Sequence, residues 1–124
     1  MPRYAVWFDI PVLDLDRAMS FYSAMLDVQV KREVYGALTI GVLPHDGEDV
    51  AGCLVPSAEL KPGPDGILLY FNVSGRLEEA VAAAESHGGS VLEPAGPIGA
   101  FGFRAVLLDS EGNRIALHSE RLVA

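Results

Sequence analysis

Asp9, Tyr70 and His118 are the residues of this sequence whose chemical types and positions could act on a bound molecule. Asp9 stands between Phe8 and Ile10 on an otherwise apolar segment, so its carboxylate must be paired or must face a wet cavity. A carboxylate beside an imidazole can serve as an acid–base pair, in which Asp9 orients His118 or raises its pKa. The same two side chains could bind a metal ion, although two donors are too few for a tight site. The catalytic candidates are therefore Asp9 and His118.

Each candidate also has a structural interpretation that the sequence leaves open. His118 could be a hydrogen-bonded cavity wall or a solvated strand end, and Asp9 could serve only in structural pairing. Trp7 and Tyr70 suit a wall on which a ligand stacks, and they suit a plain core equally well. Cys53 lies in an apolar segment and is more typical of a small buried hydrophobe than of a nucleophile. The sequence contains no glycine-rich phosphate loop and no nucleophile elbow.

The elements that must position these side chains occur in the same order in both halves of the chain. Residues 4–12 alternate as a strand with Trp7, Asp9 and Pro11 on one face, and Asp14 is a suitable N-cap for an amphipathic helix that follows. Further strands are predicted over residues 28–34, 38–43, 51–55, 67–73, 90–92, 103–108 and 114–119, with a second helix from Leu77 to Gly88-Gly89. Each half is therefore predicted to be β-α-β-β-β.

The two halves also resemble each other in sequence. The segment Leu15–Met19 aligns with Leu77–Val81, at an offset of 77 − 15 = 62 residues. Such a repeat indicates one supersecondary unit that is used twice. A turn-rich linker at residues 61–66 lies near the midpoint of the chain. It divides the chain into module one, about residues 1–60, and module two, about residues 64–124.

Composition limits the class of protein. The 124 residues are enough for one domain with a core, and no apolar run approaches the roughly 20 residues that a membrane helix needs. With 17 acidic and 9 basic residues the formal net charge is −8, which disfavours nucleic acid as a partner and fits a cationic ligand as well as simple solubility. The N-terminus lacks the apolar stretch of a secretory signal, and a single cysteine excludes an internal disulfide. We therefore expect a cytoplasmic protein.

Three local patterns occur in a recognisable order. They are residues 10–18 (Ile-Pro-Val-Leu-Asp-Leu-Asp-Arg-Ala) followed by Phe21-Tyr22, then Gly88-Gly89, and finally Asp109-Ser110-Glu111-Gly112-Asn113. Together they resemble the vicinal oxygen chelate superfamily, which includes glyoxalase I, extradiol dioxygenases, and fosfomycin and bleomycin resistance proteins. The last pattern resembles that family's Asp-Pro-Glu-Gly-Asn turn, with Ser110 in place of proline. The resemblance covers essentially the whole chain.

The resemblance implies both a fold and a quaternary structure. The implied fold class is α+β, with two tandem β-α-β-β-β modules that form an open barrel-like groove, as in the glyoxalase/bleomycin resistance fold. Residues 1–124 then make a single domain of this type. Members commonly pair as dimers whose cavity is built from one module of each chain, so the resemblance also implies a homodimer.

Relatives with metal-dependent chemistry hold a divalent ion on four strand positions, two in each half, that carry His, Glu or Gln. Carried onto this sequence, the four positions are Trp7, Leu54, Leu68 and Ala116, with Cys53 in place of Leu54 if the register slips by one residue. None of the four side chains can ligate a metal. The resemblance therefore implies that the family's metal site is absent. This argues against glyoxalase I, extradiol dioxygenase and fosfomycin transferase activity.

Three functional hypotheses follow. The first is a metal-independent small-molecule binding protein of the bleomycin resistance type, which sequesters a cationic or aromatic ligand with the charge of Asp9 and the rings of Trp7 and Tyr70. The second is a glyoxalase-like lyase or isomerase with a displaced Asp9/His118 site, the one place where a divalent metal is expected to bind if any does. The third is a non-catalytic interaction module. The residues predicted to line the ligand pocket are Trp7, Asp9, Leu54, Leu68, Tyr70, Phe103, Ala116 and His118.

Overall fold

The computed structural model describes residues 4–47 and 49–121, so residues 1–3 and 48 of module one and residues 122–124 of module two lie outside the described residues. Within them, strands and helices follow one another as β-α-β-β-β, twice. The elements are β1 (Trp7–Val12), α1 (Leu15–Leu26), β2 (Lys31–Tyr35), β3 (Leu38–Val42), β4 (Ala51–Pro56), β5 (Leu69–Asn72), α2 (Leu77–Ser86), β6 (Ser90–Pro97), β7 (Phe103–Leu108) and β8 (Arg114–Ser119). A single turn of 3-10 helix, Gly99–Phe101, precedes β7.

Helix α1 begins where the sequence predicts because Asp14 caps it. The Asp14 side chain accepts a hydrogen bond from the backbone N–H of Arg17 at 3.1 Å, which satisfies one of the amides that a helix start leaves unpaired. The helix ends at Leu26, and its C-cap residue Asp27 has the left-handed φ of 56°. The fully buried side chains of its apolar face are Ala18, Phe21, Tyr22 and Met25. Within the described residues, neither α1 nor α2 is long and apolar enough to span a membrane.

Each module folds into its own four-stranded sheet. Sheet one has the strand order β1-β4-β3-β2, and sheet two has the order β5-β8-β7-β6. In both sheets the first strand of the module runs parallel to the last, which pairs Ile10 with Leu54 and Phe71 with Leu117. The other neighbouring strands are antiparallel. The two sheets are not closed into a barrel, which agrees with the expected open groove and confirms the α+β fold class.

One hydrophobic core unites the two modules on the helix side of both sheets. Ile10 and Leu54 from sheet one, Phe71 and Leu117 from sheet two, and both helices contribute to it. The rings of Phe8 and Phe71 meet edge to face with centroids 6.1 Å apart, so the core continues from β1 to β5. Successive side chains of a strand point to opposite faces of its sheet. The strand neighbours of these core residues therefore point away from the helices.

The boundaries of four strands differ by two or more residues from those that the sequence predicts. β1 and β2 each start three residues later than expected, β5 starts two residues later, and β6 runs on to Pro97 instead of stopping at residue 92. Two register shifts against β7, on either side of Glu93, absorb the extra residues of β6 as bulges. Pro94 is tolerated because β6 is an edge strand, where a missing N–H removes no hydrogen bond from the sheet interior.

Candidate functional site

The groove face of each sheet is the face that does not pack against the helices. Among the described residues, the buried apolar side chains outside the common core are Ile40, Ala51, Cys53, Val106 and Ala116. Core residues alternate with them along the strands, since Leu54 follows Cys53 and Leu117 follows Ala116. These five side chains therefore lie on the groove faces. Exposed residues an even number of positions away along the same strands share these faces and surround them.

On the groove face of sheet one, Trp7, Asp9 and Cys53 form a hydrogen-bonded cluster. The indole Nε1–H of Trp7 donates to Oδ1 of Asp9 at 2.8 Å, and the thiol of Cys53 donates to the same oxygen at 3.3 Å. Asp9 and Cys53 are register partners across the parallel pair β1/β4. Trp7 is 45% exposed, and its ring meets that of His45 edge-on, with centroids 6.5 Å apart. The cluster thus presents an aromatic ring and a carboxylate side by side.

The surroundings of Cys53 keep its thiol protonated. Burial, followed by the hydrogen bond to the Asp9 carboxylate and the charge of that group, raises the pKa of Cys53 to about 12. The thiolate is the form that attacks electrophiles, so Cys53 is a poor nucleophile at neutral pH. This supports the interpretation of Cys53 as a small buried hydrophobe.

On the groove face of sheet two, Asn72, His118 and Arg104 form a row across three strands. Asn72 on β5 is the register partner of His118 on β8, which in turn is the partner of Arg104 on β7. The guanidinium of Arg104 donates from Nη1 to the hydroxyl of Tyr70 at 2.5 Å. Nε2 of His118 lies 2.5 Å from the backbone oxygen of Phe101, and because a carbonyl only accepts, the proton is on Nε2. This face presents a guanidinium, a carboxamide and an oriented imidazole.

Two predicted pocket residues lie on the other side of their sheets. Leu54 is fully buried in the common core and Phe103 packs against that core, so both face the helices. The residue of β4 that faces the groove at the predicted ligand position is Cys53, the alternative that the sequence left open. The offset explains the correction, because from Cys53 to Ala116 it is 116 − 53 = 63 residues, and not the 62 that relates the helices. A change of one residue in the alignment of a strand moves the expected side chain to the opposite face.

The remaining predicted pocket residues keep their expected faces or lie at their margin. Trp7 and Asp9 lie on the groove face of sheet one, and Tyr70, Ala116 and His118 lie on that of sheet two. Leu68 is half-buried and comes directly before β5. Their role in ligand binding stays a prediction.

The expected acid–base pairing of Asp9 with His118 does not form within the part of the chain that the structure describes. The hydrogen bonds of Asp9 come from Trp7 and Cys53, both on sheet one. The ring of His118 binds the carbonyl of Phe101, just before β7 of sheet two. Each side chain is therefore held by its own module, which favours two separate half-sites over one catalytic pair.

Residues 4–117 match the family model of the Glyoxalase/Bleomycin resistance protein/Dioxygenase superfamily. The chain belongs to this superfamily. The match covers both modules of this superfamily member and confirms the resemblance that its three sequence patterns carry. No functionally curated protein is similar enough in sequence to match it.

Solved structures have the same fold as this superfamily member. A glyoxalase-related enzyme from Fulvimarina pelagi is 16% identical, with a TM-score of 0.73, over 95% of this chain and 88% of that one. A glyoxalase/bleomycin resistance protein from Albidiferax ferrireducens T118 is 20% identical, with a TM-score of 0.69, over 92% and 96%. The fosfomycin resistance protein FosX from Listeria monocytogenes is 15% identical, with a TM-score of 0.70, over 98% and 97%. At these identities the likeness shows the fold alone.

The donor set of this superfamily member does not fit the divalent metal that the family resemblance implies. With the corrected face of β4, the four positions carry Trp7, Cys53, Leu68 and Ala116, and of these only Cys53 has a side-chain donor for a metal. Within residues 4–47 and 49–121, no group of three or more His, Cys, Asp or Glu side chains could hold a metal ion. Protein zinc sites use three or four such ligands. The residues present therefore do not build the metal site of the relatives.

A cleft of about 460 Å³ opens beside the groove face of sheet one, along the free edge of β1. The linker between the modules, the start of β5 with the residues before it, and residues 113–115 at the start of β8 form its other walls. The charged residues that line it are Asp9, Lys61, Asp65 and Arg114. Asp9 therefore lies on the groove face and also borders this cleft.

Arg104 and Asn72 are groove-facing polar residues that the sequence reasoning missed. The strand β7 reads Phe-Arg-Ala-Val-Leu-Leu. Apolar residues therefore occur on both faces of this strand, and the pattern does not show which face is buried. The polarity of Arg104 in this apolar strand is the signal that could have identified it. Asn72 ends a short strand, where a polar residue is also typical of an ordinary turn.

Proposed function

We propose that this superfamily member binds a small organic molecule in its open groove without a resident metal, and that the ligand is cationic or aromatic where it meets sheet one. The observation that supports this proposal is the Trp7–Asp9 pair, an indole ring beside a carboxylate on an exposed face. Organic cations are recognised by this combination, because the ring quadrupole and the negative charge both attract them. The donor set described above supports binding without a metal.

The geometry of Asp9 leaves one carboxylate oxygen for a ligand. The hydrogen bonds from Trp7 and Cys53 both end on Oδ1. Within the described residues no further hydrogen bond reaches Oδ2, and neither donor carries a charge. The negative charge of Asp9 is thus available to a cationic group, and the adjacent indole offers that group an apolar surface.

The other hypotheses have less support. A glyoxalase-like lyase or isomerase would need Asp9 and His118 to act together, yet each has hydrogen-bond partners in its own module. An interaction module without a ligand would not need a carboxylate among apolar neighbours on the groove face. A cytoplasmic location stays a prediction, which rests on the single unpaired cysteine, Cys53.

Asp9→Asn is expected to weaken the binding of an organic cation about tenfold, because the charge is lost while the indole and the shape of the side chain are kept. Benzyltrimethylammonium is a suitable probe, and neopentylbenzene is its uncharged analogue of the same shape. Trp7 is the only tryptophan of the chain, so its fluorescence reports binding at this face. The titration is made in the presence of EDTA and repeated by calorimetry.

The matched control is Glu59→Gln, which removes one exposed acid from the segment between β4 and the linker and changes the net charge equally. We expect Glu59→Gln to bind the cation as the wild type does, and neopentylbenzene to bind more weakly than the cation. The proposal is wrong if the wild type binds neither probe. It is also wrong if a divalent ion raises the melting temperature of the wild type and this rise disappears in Asp9→Asn.

We further propose that two copies of the chain pair and cover the groove faces. Support comes from large apolar side chains on these faces that stay exposed in one copy, namely Trp7 (45%), Tyr35 (61%), Leu38 (43%) and Tyr70 (44%). Tyr35 and Leu38 are register partners at the end of the β2–β3 hairpin. Exposed apolar patches of this kind mark surfaces that associate with another protein.

Leu38→Asp is expected to weaken this pairing at least about tenfold, because it puts a charge into an apolar contact. Sedimentation velocity measures the effect, with a wild-type species of twice 13.2 kDa as the expected result. Leu60→Asp is the control, since Leu60 is exposed in the segment between β4 and the linker and belongs to neither sheet. A wild type that sediments as a 13.2 kDa monomer at every concentration would contradict the pairing.

A further inference from the structure

We propose that the groove face of sheet two binds an organic oxyanion, with a carboxylate as its simplest form, through the guanidinium of Arg104. The inference rests on the proposed function, since it assigns a second recognition point for the ligand of the same groove. Sheet two is the basic part of an acidic chain. Its described strands contain Arg104, Arg114 and His118 and a single acid, Glu93, although the whole chain has a net charge of −8.

The position of Arg104 is fixed by its neighbours. Its Nη1 donates to the hydroxyl of Tyr70 at 2.5 Å, and its Cζ lies 6.0 Å from the centroid of the Tyr70 ring. A guanidinium has five N–H donors, of which the described residues engage two, one by Tyr70 and one by Glu93. Three donors are left for a ligand. Planar guanidinium groups bind carboxylates through two parallel hydrogen bonds, which gives both energy and orientation.

The residues next to Arg104 extend this site across the sheet. His118 is its register partner on β8, and directly opposed side chains have Cβ atoms about 4.5–5.5 Å apart. Asn72 is the next residue of the row. Oδ1 of Asn72 accepts a hydrogen bond from the backbone N–H of Ser74 at 3.0 Å, so the Nδ2 group is left as a donor. The row therefore combines a guanidinium with an amide donor, and both suit an oxyanion.

Glu93 is the present partner of the guanidinium and is poorly placed to keep it. Its Oε1 lies 3.4 Å from Nη2 of Arg104, and its side chain is 57% exposed. Exposed ion pairs of this length contribute little, because water screens them and ordering two long side chains is unfavourable. A ligand carboxylate can therefore replace Glu93 on Arg104 without disturbing the hydrogen bond to Tyr70.

Benzoate tests this inference, and benzamide is its uncharged analogue. We expect benzoate to shift the backbone amide NMR signals of Asn72, Arg104 and His118 in the wild type, and benzamide to bind at least about tenfold more weakly. Arg104→Gln should raise the dissociation constant of benzoate about tenfold. Arg104→Lys should raise it about threefold, because lysine keeps the charge but cannot form the two parallel hydrogen bonds of a guanidinium. The control is Arg32→Gln, since Arg32 pairs with Asp16 away from the groove faces.

A second variant keeps the test decisive if Arg104→Gln does not fold. Glu93→Gln removes the competing acid, so it should lower the dissociation constant of benzoate about threefold. The inference is overturned if benzoate shifts none of these signals, if benzamide binds equally well, or if neither variant changes the affinity. Its failure is distinct from that of the proposed function, because binding of benzyltrimethylammonium shifts the indole Nε1–H signal of Trp7 and depends on Asp9.

Discussion

Asp109→Ala is expected to destabilise the folded protein by about 3–5 kcal/mol, because the carboxylate is buried and accepts four hydrogen bonds. Oδ1 accepts from the backbone N–H groups of Glu111 and Asn113, both at 2.8 Å. Oδ2 accepts from the hydroxyl of Tyr22 at 2.5 Å and from Nδ2 of Asn113 at 3.0 Å. Alanine would leave these donors without a partner in a region that water does not reach, since Asp109 is only 3% exposed.

The bond from Tyr22 makes Asp109 a connection between the two modules. Tyr22 lies on α1 of module one, and burial, followed by the charge of Asp109, raises the pKa of Tyr22 well above its usual value. The phenol is therefore a neutral donor at neutral pH. Tyr22→Phe removes this donor alone and should lower the free energy of unfolding by about 1–2 kcal/mol.

Urea unfolding followed by circular dichroism measures these effects in a double-mutant cycle. The double variant should be more stable than additivity predicts, by about 1–3 kcal/mol, because each single change already breaks the shared hydrogen bond. The control is Asp46→Ala, an exposed loop residue for which we expect a change within about 0.5 kcal/mol. If Asp109→Ala changes stability by less than about 1 kcal/mol, or if the two effects simply add, the carboxylate does not connect the modules.

Local signals in the sequence predict most elements of this fold. The start of α1 follows from Asp14, and the strands β7 and β8 follow from apolar runs on either side of a turn, because caps, periodicity and turns act over three or four residues. The face of β4 could not be predicted in the same way. It depends on an offset between the modules that differs by one residue from that of the helices, and no local pattern around Leu54 records such a difference.

For the candidate site too, the sequence predicts the local features and not those that depend on contacts between distant residues. Alternation along β1 and β5 places Asp9 and Tyr70 on the groove faces, as the sequence predicts. Apart from Trp7, which is two residues from Asp9, their hydrogen-bond partners are distant in the chain, with Cys53 44 residues from Asp9 and Arg104 34 residues from Tyr70. Such partners are set by strand order and register, which only the folded chain determines. The sequence therefore identifies groove residues singly and does not show the clusters they form.

The turn at residues 109–113 shows how a local pattern can have a long-range role. The sequence pattern predicts a turn here, and Gly112 has the positive φ of 92° that glycine adopts readily. Its side chains, however, bind module one and the linker. Nδ2 of Asn113 donates to the backbone oxygen of Pro11 at 2.9 Å, and Oδ1 accepts from the N–H of Gly63 at 3.1 Å. The turn thus holds β1, the linker and β8 in their relative positions.

Glu111 is the residue of this turn through which acid should weaken the fold. Its carboxylate accepts hydrogen bonds from the backbone N–H groups of Leu13 and Asp14 and a bidentate pair from Arg17, at 2.7–2.9 Å. Burial alone would raise the pKa of Glu111. The hydrogen bonds from Arg17, Asp14, Ser110 and Leu13 outweigh burial, and they lower the pKa to about 2 from the usual 4.5. The charged form is thus favoured in the folded state.

Glu111→Gln is therefore expected to destabilise the protein at neutral pH, and the loss should fade in acid. A drop in pKa from 4.5 to about 2 corresponds to about 3 kcal/mol by linkage, and because Arg17 is half exposed we expect about 2 kcal/mol. Since the folded pKa is lowered, this stabilisation is fully present above 4.5 and disappears as the pH falls toward 2. Urea unfolding of both proteins across this range measures the difference. Glu59→Gln should show no such trend, and a constant difference between wild type and Glu111→Gln throughout would mean that the Glu111 carboxylate is not the acid-sensitive contact.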